Sequence, residues 1–142
     1  MRRNRWLVGA ALFLAAGLYL NRPHAEGGKN GENRVFEMRT YYAHPGKMAA
    51  LHARFRDHTT KLFEKHGMTN IGYWSPIDAK QAEEKLIYIL AFPSKEAAAK
   101  SWKDFVNDPE WKKVREASEV DGKLVAKVES VYLNPTDYSK TK

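Results

Sequence analysis

The chain contains no cysteine, which removes thiol nucleophiles, thiolate metal sites and disulfides together. Histidine is sparse: His44, His52, His58 and His66 stand 8, 6 and 8 residues apart. No pair has the three- or four-residue spacing that places two ligands on one helical turn. H-E-x-x-H is missing as well, so no metal site is expected. Nor is there a G-x-S-x-G elbow, a P-loop or a dinucleotide-binding glycine fingerprint. Nucleophilic hydrolysis and nucleotide binding are therefore without support, and no cofactor is expected.

Acidic residues are absent from the first 25 positions, where Arg2, Arg3, Arg5 and Arg22 fall. The net charge of +7 shrinks accordingly: the remainder carries 20 basic against 17 acidic residues, about +3. Their signs are interleaved, as in "KKVREASEVDGK", which describes a solvated surface and not a phosphate-tracking stripe. No nucleic-acid partner is expected on this ground. At 142 residues the chain has room for one domain with a leader and one modest core.

The leader "MRRNRWLVGAALFLAAGLYLNRPHAEGG" has a basic start, an uncharged apolar run over residues 6–20 and a Gly-rich exit. Fifteen helical residues span about 22 Å, short of the roughly 30 Å hydrocarbon core. This length suits the core of a signal peptide, and the basic flank suits a signal anchor with its N-terminus inside. Residues 1–25 are accordingly expected to be a signal peptide or signal anchor. The expected location is exported, either periplasmic or secreted, or anchored in the inner membrane by residues 6–20. Any membrane contact is expected through this segment alone. Residues 26–33, "EGGKNGEN", have the composition of a flexible linker, and residues 34–140 form the domain.

Within that domain "RVFEMRTYY" alternates at period two, with Phe36, Met38, Thr40 and Tyr42 on one face and Val35, Glu37, Arg39 and Tyr41 on the other. "HPGK" turns the chain. Met48, Leu51, Phe55, Thr59, Leu62 and His66 then recur at helical spacing as far as Gly67. "MTNIGYWSP" predicts a second strand, "AKQAEEK" an exposed connection of low order, and "LIYILAF" a central strand buried on both faces. Ser94 predicts the cap of a second helix, striped by Ala98, Trp102 and Phe105. "NDPEW" breaks and restarts that helix, with Asp108 as cap and Pro109 as first residue. "KLVAKVESVYL" closes as a strand. The order βαββαβ is that of the α+β ferredoxin-like plait: a four-stranded antiparallel sheet with helices on one face and the other face bare.

"VFEMRTYYAHPGKMAAL", "NIGYWSP", "LIYILAFPSKEAAAKSWKDFVNDPEWKKV" and "ESVYLNPTDYS" together resemble the NIPSNAP family from about Arg34 to Ser139. The most specific pieces are Glu37, Arg39 and Tyr41 as E-x-R-x-Y, the run Gly72, Tyr73 and Trp74, and Phe105 with Asp108, Pro109, Glu110 and Trp111. The resemblance implies a dimeric α/β barrel in which two plaits pair through their bare faces, and hence a homodimer. It implies no defined reaction. Some dimeric barrels degrade haem with an asparagine, a tryptophan and a histidine, but the arrangement of these types here does not match.

The first strand carries the functional question. If helices cover the Phe36 face, then Glu37, Arg39 and Tyr41 point into the cavity between sheet and partner. Two residues apart on a strand means about 7 Å at the Cα, within reach of the two long side chains. One reading is an ion pair that fixes register or dimer. A second makes Arg39 the anchor of an anionic organic ligand, because its fork matches a carboxylate, with Glu37 orienting it and Tyr41 donating. A third makes Glu37 a general base, where burial and the neighbouring guanidinium pull in opposite directions. Whether the protein is an enzyme, a cofactor-independent monooxygenase or isomerase, or a non-catalytic interaction module stays open. His44, in the loop leaving this strand, and Trp74, if Gly72 lets its strand bend, are the further pocket candidates. His66 reads as a charge at a helix C-terminus, and Trp102 and Trp111 read as core.

Overall fold

The computed structural model describes residues 34–142; the leader and the linker lie outside the described residues. The strands are β1 (Val35–Ala43), β2 (Thr69–Trp74), β3 (Lys85–Phe92) and β4 (Val125–Leu133). They form one sheet in the order β2-β3-β1-β4, antiparallel throughout. The helices are α1 (Met48–Arg54), a π turn (Phe55–Thr59) running on into α2 (Thr60–Lys65), α3 (Ala79–Glu84), α4 (Lys95–Asn107) and α5 (Pro109–Ser118). With β1 hydrogen-bonded to both β3 and β4, the first strand lies in the middle of the sheet. This is the expected α+β plait.

The stretch from α1 to α2 has a feature that helical periodicity does not reveal. Leu51, Phe55, Thr59 and Phe63 are all buried, three steps of four residues. In an α-helix each such step drifts by about 40°. The π turn, with its wider winding, cancels part of that drift and keeps all four side chains on the core. It closes through the Thr60 N–H to the Phe55 carbonyl, and the Thr59 hydroxyl donates to the Arg54 carbonyl at 3.1 Å. Gly67, at φ +75°, then ends α2 as only an achiral residue does without strain, and the Met68 N–H returns to the Phe63 carbonyl at 3.0 Å.

The caps follow expectation. Ser94 Oγ accepts from the Ala97 N–H at 3.1 Å, and Asp108 Oδ1 accepts from the Glu110 N–H at 2.7 Å. The Asp108 carboxylate also receives Lys65 Nζ at 2.8 Å and His66 Nε2 at 2.6 Å, tying the end of α2 to the start of α5. His66 thus has a partner carboxylate as well as its place at a helix end. "AKQAEEK" is more ordered than expected: α3 forms because Asp78 caps it through the Gln81 N–H, although none of its residues is buried.

The main departure concerns the faces of the sheet. The helices cover Glu37, Arg39 and Tyr41, and the face of Phe36, Met38, Thr40 and Tyr42 is the one they leave open, although Phe36 at its end is buried. Trp102 of α4 donates to Glu37, and Tyr41 packs edge-on against Phe55 at 5.7 Å. Both faces of a central strand carry apolar residues, so alternation alone does not say which of them the helices take. On the bare side Met38, Val131 and Leu133 are 36%, 43% and 38% exposed. Ile87 and Ile89 of β3 are half-buried there, so β3 is buried on both faces only over its last residues.

Hydrogen bonds from Lys65 and then His66 hold the Asp108 carboxyl far below the usual carboxylate range. A carboxylate with a depressed pKa stabilises the fold fully above its unfolded value of about 3.9, and that stabilisation is lost as the pH falls below it. Asp108→Asn is expected to flatten the decline of stability between about pH 4 and pH 2. Denaturant midpoints of both proteins across that interval check this; parallel declines would contradict it.

Candidate functional site

Glu37 is 1% exposed, and an isolated carboxylate at that depth costs several kcal/mol. Three donors offset the cost. Arg39 Nη1 donates to Oε1 at 2.7 Å, Ser130 Oγ to the same oxygen at 2.5 Å, and Trp102 Nε1 to Oε2 at 2.6 Å. The strands place two of them, since Arg39 is two residues along β1 and Ser130 lies opposite Arg39 on β4. α4 supplies the third.

Arg39 is held differently. Its guanidinium lies 4.2 Å from the Trp102 ring and 5.7 Å from the Tyr41 ring, its side chain is 18% exposed, and its Nε has no hydrogen-bond partner. Burial opposes its charge, but Tyr88, Tyr41 and Glu37 outweigh that and raise its pKa above the ordinary arginine value. Arg54 differs in depth and not in pairing: its side chain is 4% exposed, Nη1 is spent on Glu119 at 3.0 Å and Ser118 at 3.3 Å, and its Nε likewise has no partner.

The cross-strand register adds a polar row. Ser130, Arg39, Tyr88 and Tyr73 are successive partners across β4, β1, β3 and β2, all on the helix side. Tyr88 is fully buried and its hydroxyl has no partner. Burial pushes its phenol well above the usual range, as it does for Tyr73. Tyr73 donates to Asn70 Oδ1 at 2.5 Å. This contact exists because the β2 register slips between Asn70 and Gly72, which turns Asn70 to the helix side instead of leaving it with Gly72 and Trp74.

The row is open at one end. Val128, Ser130 and Tyr132 lie on the helix side of β4, opposite Tyr41, Arg39 and Glu37, yet all three are exposed. The helices shield β1 and β3 and leave the helix side of β4 open, so Arg39 stands beside that open face, against Trp102. Lys95 of α4 sits 5.6 Å from the Tyr132 ring at its rim.

Of the sequence candidates, Glu37, Arg39 and Tyr41 come together, but beneath the helices instead of between paired sheets. His44 lies about 23 Å along the strand direction from Glu37, exposed, with its backbone N–H on the Leu124 carbonyl. Trp74 is on the outer strand β2, on the bare face, its ring folded over Gly72. Trp102, Ser130 and Tyr88 escaped the sequence reading as site residues. Trp102 carried a usable signal, because a buried indole N–H requires an acceptor. Among the described residues no group of three His, Cys, Asp or Glu could hold a metal ion, and no helix is long and apolar enough to cross a membrane.

Residues 36–140 match the family model described as NIPSNAP. Among solved structures, a NIPSNAP family protein of unknown function from Agrobacterium tumefaciens aligns with a TM-score of 0.67 at 21% identity, over 78% of this chain and 96% of that one. A second NIPSNAP family protein from Agrobacterium tumefaciens gives 0.66 at 21% identity, over 77% and 99%. An uncharacterized NIPSNAP-like domain protein from Burkholderia xenovorans gives 0.65 at 16% identity, over 76% and 90%. At these identities the likeness is one of fold. No curated protein sequence matches the chain significantly.

The charge pair has a thermodynamic signature. Arg39→Met leaves the Glu37 charge buried without its counter-charge and is expected to cost about 3 kcal/mol. Adding Glu37→Gln removes that charge while keeping an acceptor for Trp102, and is expected to restore more than half of the loss. Urea unfolding of the two single variants and the double measures the coupling; strictly additive effects would contradict the pairing.

Proposed function

The chain belongs to the NIPSNAP family, and on that premise we propose that it acts as an exported homodimer that binds a small organic acid at Arg39. The carrying observation is Arg39 itself: one N–H is committed to Glu37, Nε has no partner, and the side chain is 18% exposed beside the open helix-side face of β4. A guanidinium has five N–H donors and prefers carboxylate in two-pronged geometry. Glu37 acts as the counter-charge that holds the fork in position. With both of its oxygens occupied by donors, it orients Arg39 and does not serve as the base of an enzymatic reading.

Each chain carries its own binding face, on the helix side of β4. The homodimer uses the opposite face. Met38, Val131 and Leu133, with Ile87 and Ile89 beside them, make an apolar patch on the outside of a lone sheet for a second copy to cover, and the paired Tyr42, Lys127 and Glu129 lie at its polar end. Export rests on the composition of residues 1–25.

Two measurements test these parts separately. Arg39→Lys keeps the charge that Glu37 needs but loses the fork; it is expected to weaken binding of small carboxylates at least tenfold by calorimetry, with the dimer intact. Unchanged affinity would remove Arg39 as the anchor. Val131→Asp places a charge in the apolar face and is expected to convert dimer to monomer at micromolar concentration by light scattering. A dimer that survives it would move the interface elsewhere.

A further inference from the structure

Gly72 and Trp74 have no part in the site at Arg39, yet the structure gives them a joint arrangement. Trp74 stands on the outer strand β2, and its indole folds back over Gly72. A Cβ at Gly72 would come within 2.6, 2.8 and 3.3 Å of three carbons of that ring. The ring therefore keeps this place only above a glycine. It lies on the open face of the sheet, and Trp74 is still 48% exposed. A tryptophan positioned by its own strand and left half in water is the residue type that anchors interfaces. We propose that the Trp74 ring anchors the homodimer by packing on Val131 of the partner subunit, about a two-fold axis that runs along the strands. The proposal rests on the dimer reading given above and specifies its contacts.

The strand register selects the axis. Gly72, Ile89, Met38 and Val131 form one row across the open face; Glu129 stands in the next row and Lys127 in the one beyond. Two identical copies meeting face to face use the same surface twice, and the axis that relates them lies in the plane between the sheets. An axis across the strands exchanges rows. It sets Glu129 and Lys127 over apolar side chains of the partner, which buries charge without a counter-charge, or it leaves the Met38 row uncovered. An axis along the strands, between β3 and β1, sets each row against the same row in reverse. Ile89 then faces the partner's Met38, and the ring above Gly72 faces the partner's Val131, a side chain 43% exposed in the lone chain. Glu129 stays at the rim, where Tyr42 donates to it at 2.9 Å and Lys127 pairs with it.

Sedimentation over a dilution series of the purified protein reads the dimer dissociation constant. Trp74→Ala is expected to weaken the dimer at least tenfold. Gly72→Ala is the sharper variant. It adds one methyl and favours the folded strand, so it leaves intact or tightens an interface made without the ring. It is expected to weaken this one severalfold, because the ring must leave its place. Unchanged affinity in both variants would overturn the anchor and leave the dimer standing, whereas a parent protein that is monomeric at every concentration overturns anchor and dimer together.

The axis has its own test. Trp74 and Val131 are three strand spacings apart within one chain, about 14 Å, so Trp74→Ala and Val131→Ala act independently unless the two side chains meet across the dimer. The double variant is expected to lose at least threefold less affinity than the product of the single losses; a simple product would overturn the axis. One readout needs no variant: dilution through dissociation is expected to move the tryptophan emission to longer wavelength as Trp74 passes from the partner into water. An emission that stays in place while the dimer dissociates contradicts the anchor even if Trp74→Ala fails to fold.

Discussion

One buried carboxylate organises this structure. Glu37 lies under α4 in the middle strand of the sheet, and the charge is tolerable there because β1, β4 and α4 each send it a donor. Those three hydrogen bonds fix the β1–β4 pairing near the Ser130 position, the seat of α4 on the sheet and the direction of the Arg39 guanidinium. Replacing such a constellation with apolar side chains often leaves stability unchanged or raises it. What Glu37 contributes is therefore position: it keeps a guanidinium beside the open face of β4 where a solvated arginine would sweep many rotamers.

The secondary structure was largely legible in the sequence. Strand alternation in "RVFEMRTYY", the Ser94 and Asp108 caps and the Gly67 stop all act locally, within a few residues, and appear where the pattern put them. The association of Glu37, Arg39 and Tyr41 was legible too, because residues two apart on a strand must share a face. The choice of face was not. It depends on whether Trp102 and Phe63, 65 and 26 residues further along the chain, pack over Glu37 or over Phe36, and period-two alternation contains no term for that. Ser130 and Tyr88 entered the site through strand register, which is equally non-local. The π turn was hidden because Leu51, Phe55 and Thr59 fit an α-helix adequately, and only the added burial of Phe63 exposes the drift.

The two faces of the sheet have become different surfaces with different tasks. On the helix side, aromatic rings surround a polar row, and the helices stop short of β4. On the other side, Met38, Val131 and Leu133 stand on the outside of a single chain. A long strand exposed on both faces, as β4 is, has every reason to be covered in the working protein. The proposed homodimer and the proposed ligand site take one exposed face each.

The central claim is that Arg39, held by Glu37, retains an organic acid in a dimeric protein. Native mass spectrometry of residues 26–142, purified without added ligand, tests it most directly because subunit count and retained mass are read in one spectrum. The account expects a dimer carrying one or two copies of a small acid that are released when Arg39 is replaced by lysine. A monomer with no adduct would contradict it, and so would an adduct that the Arg39→Lys protein retains unchanged.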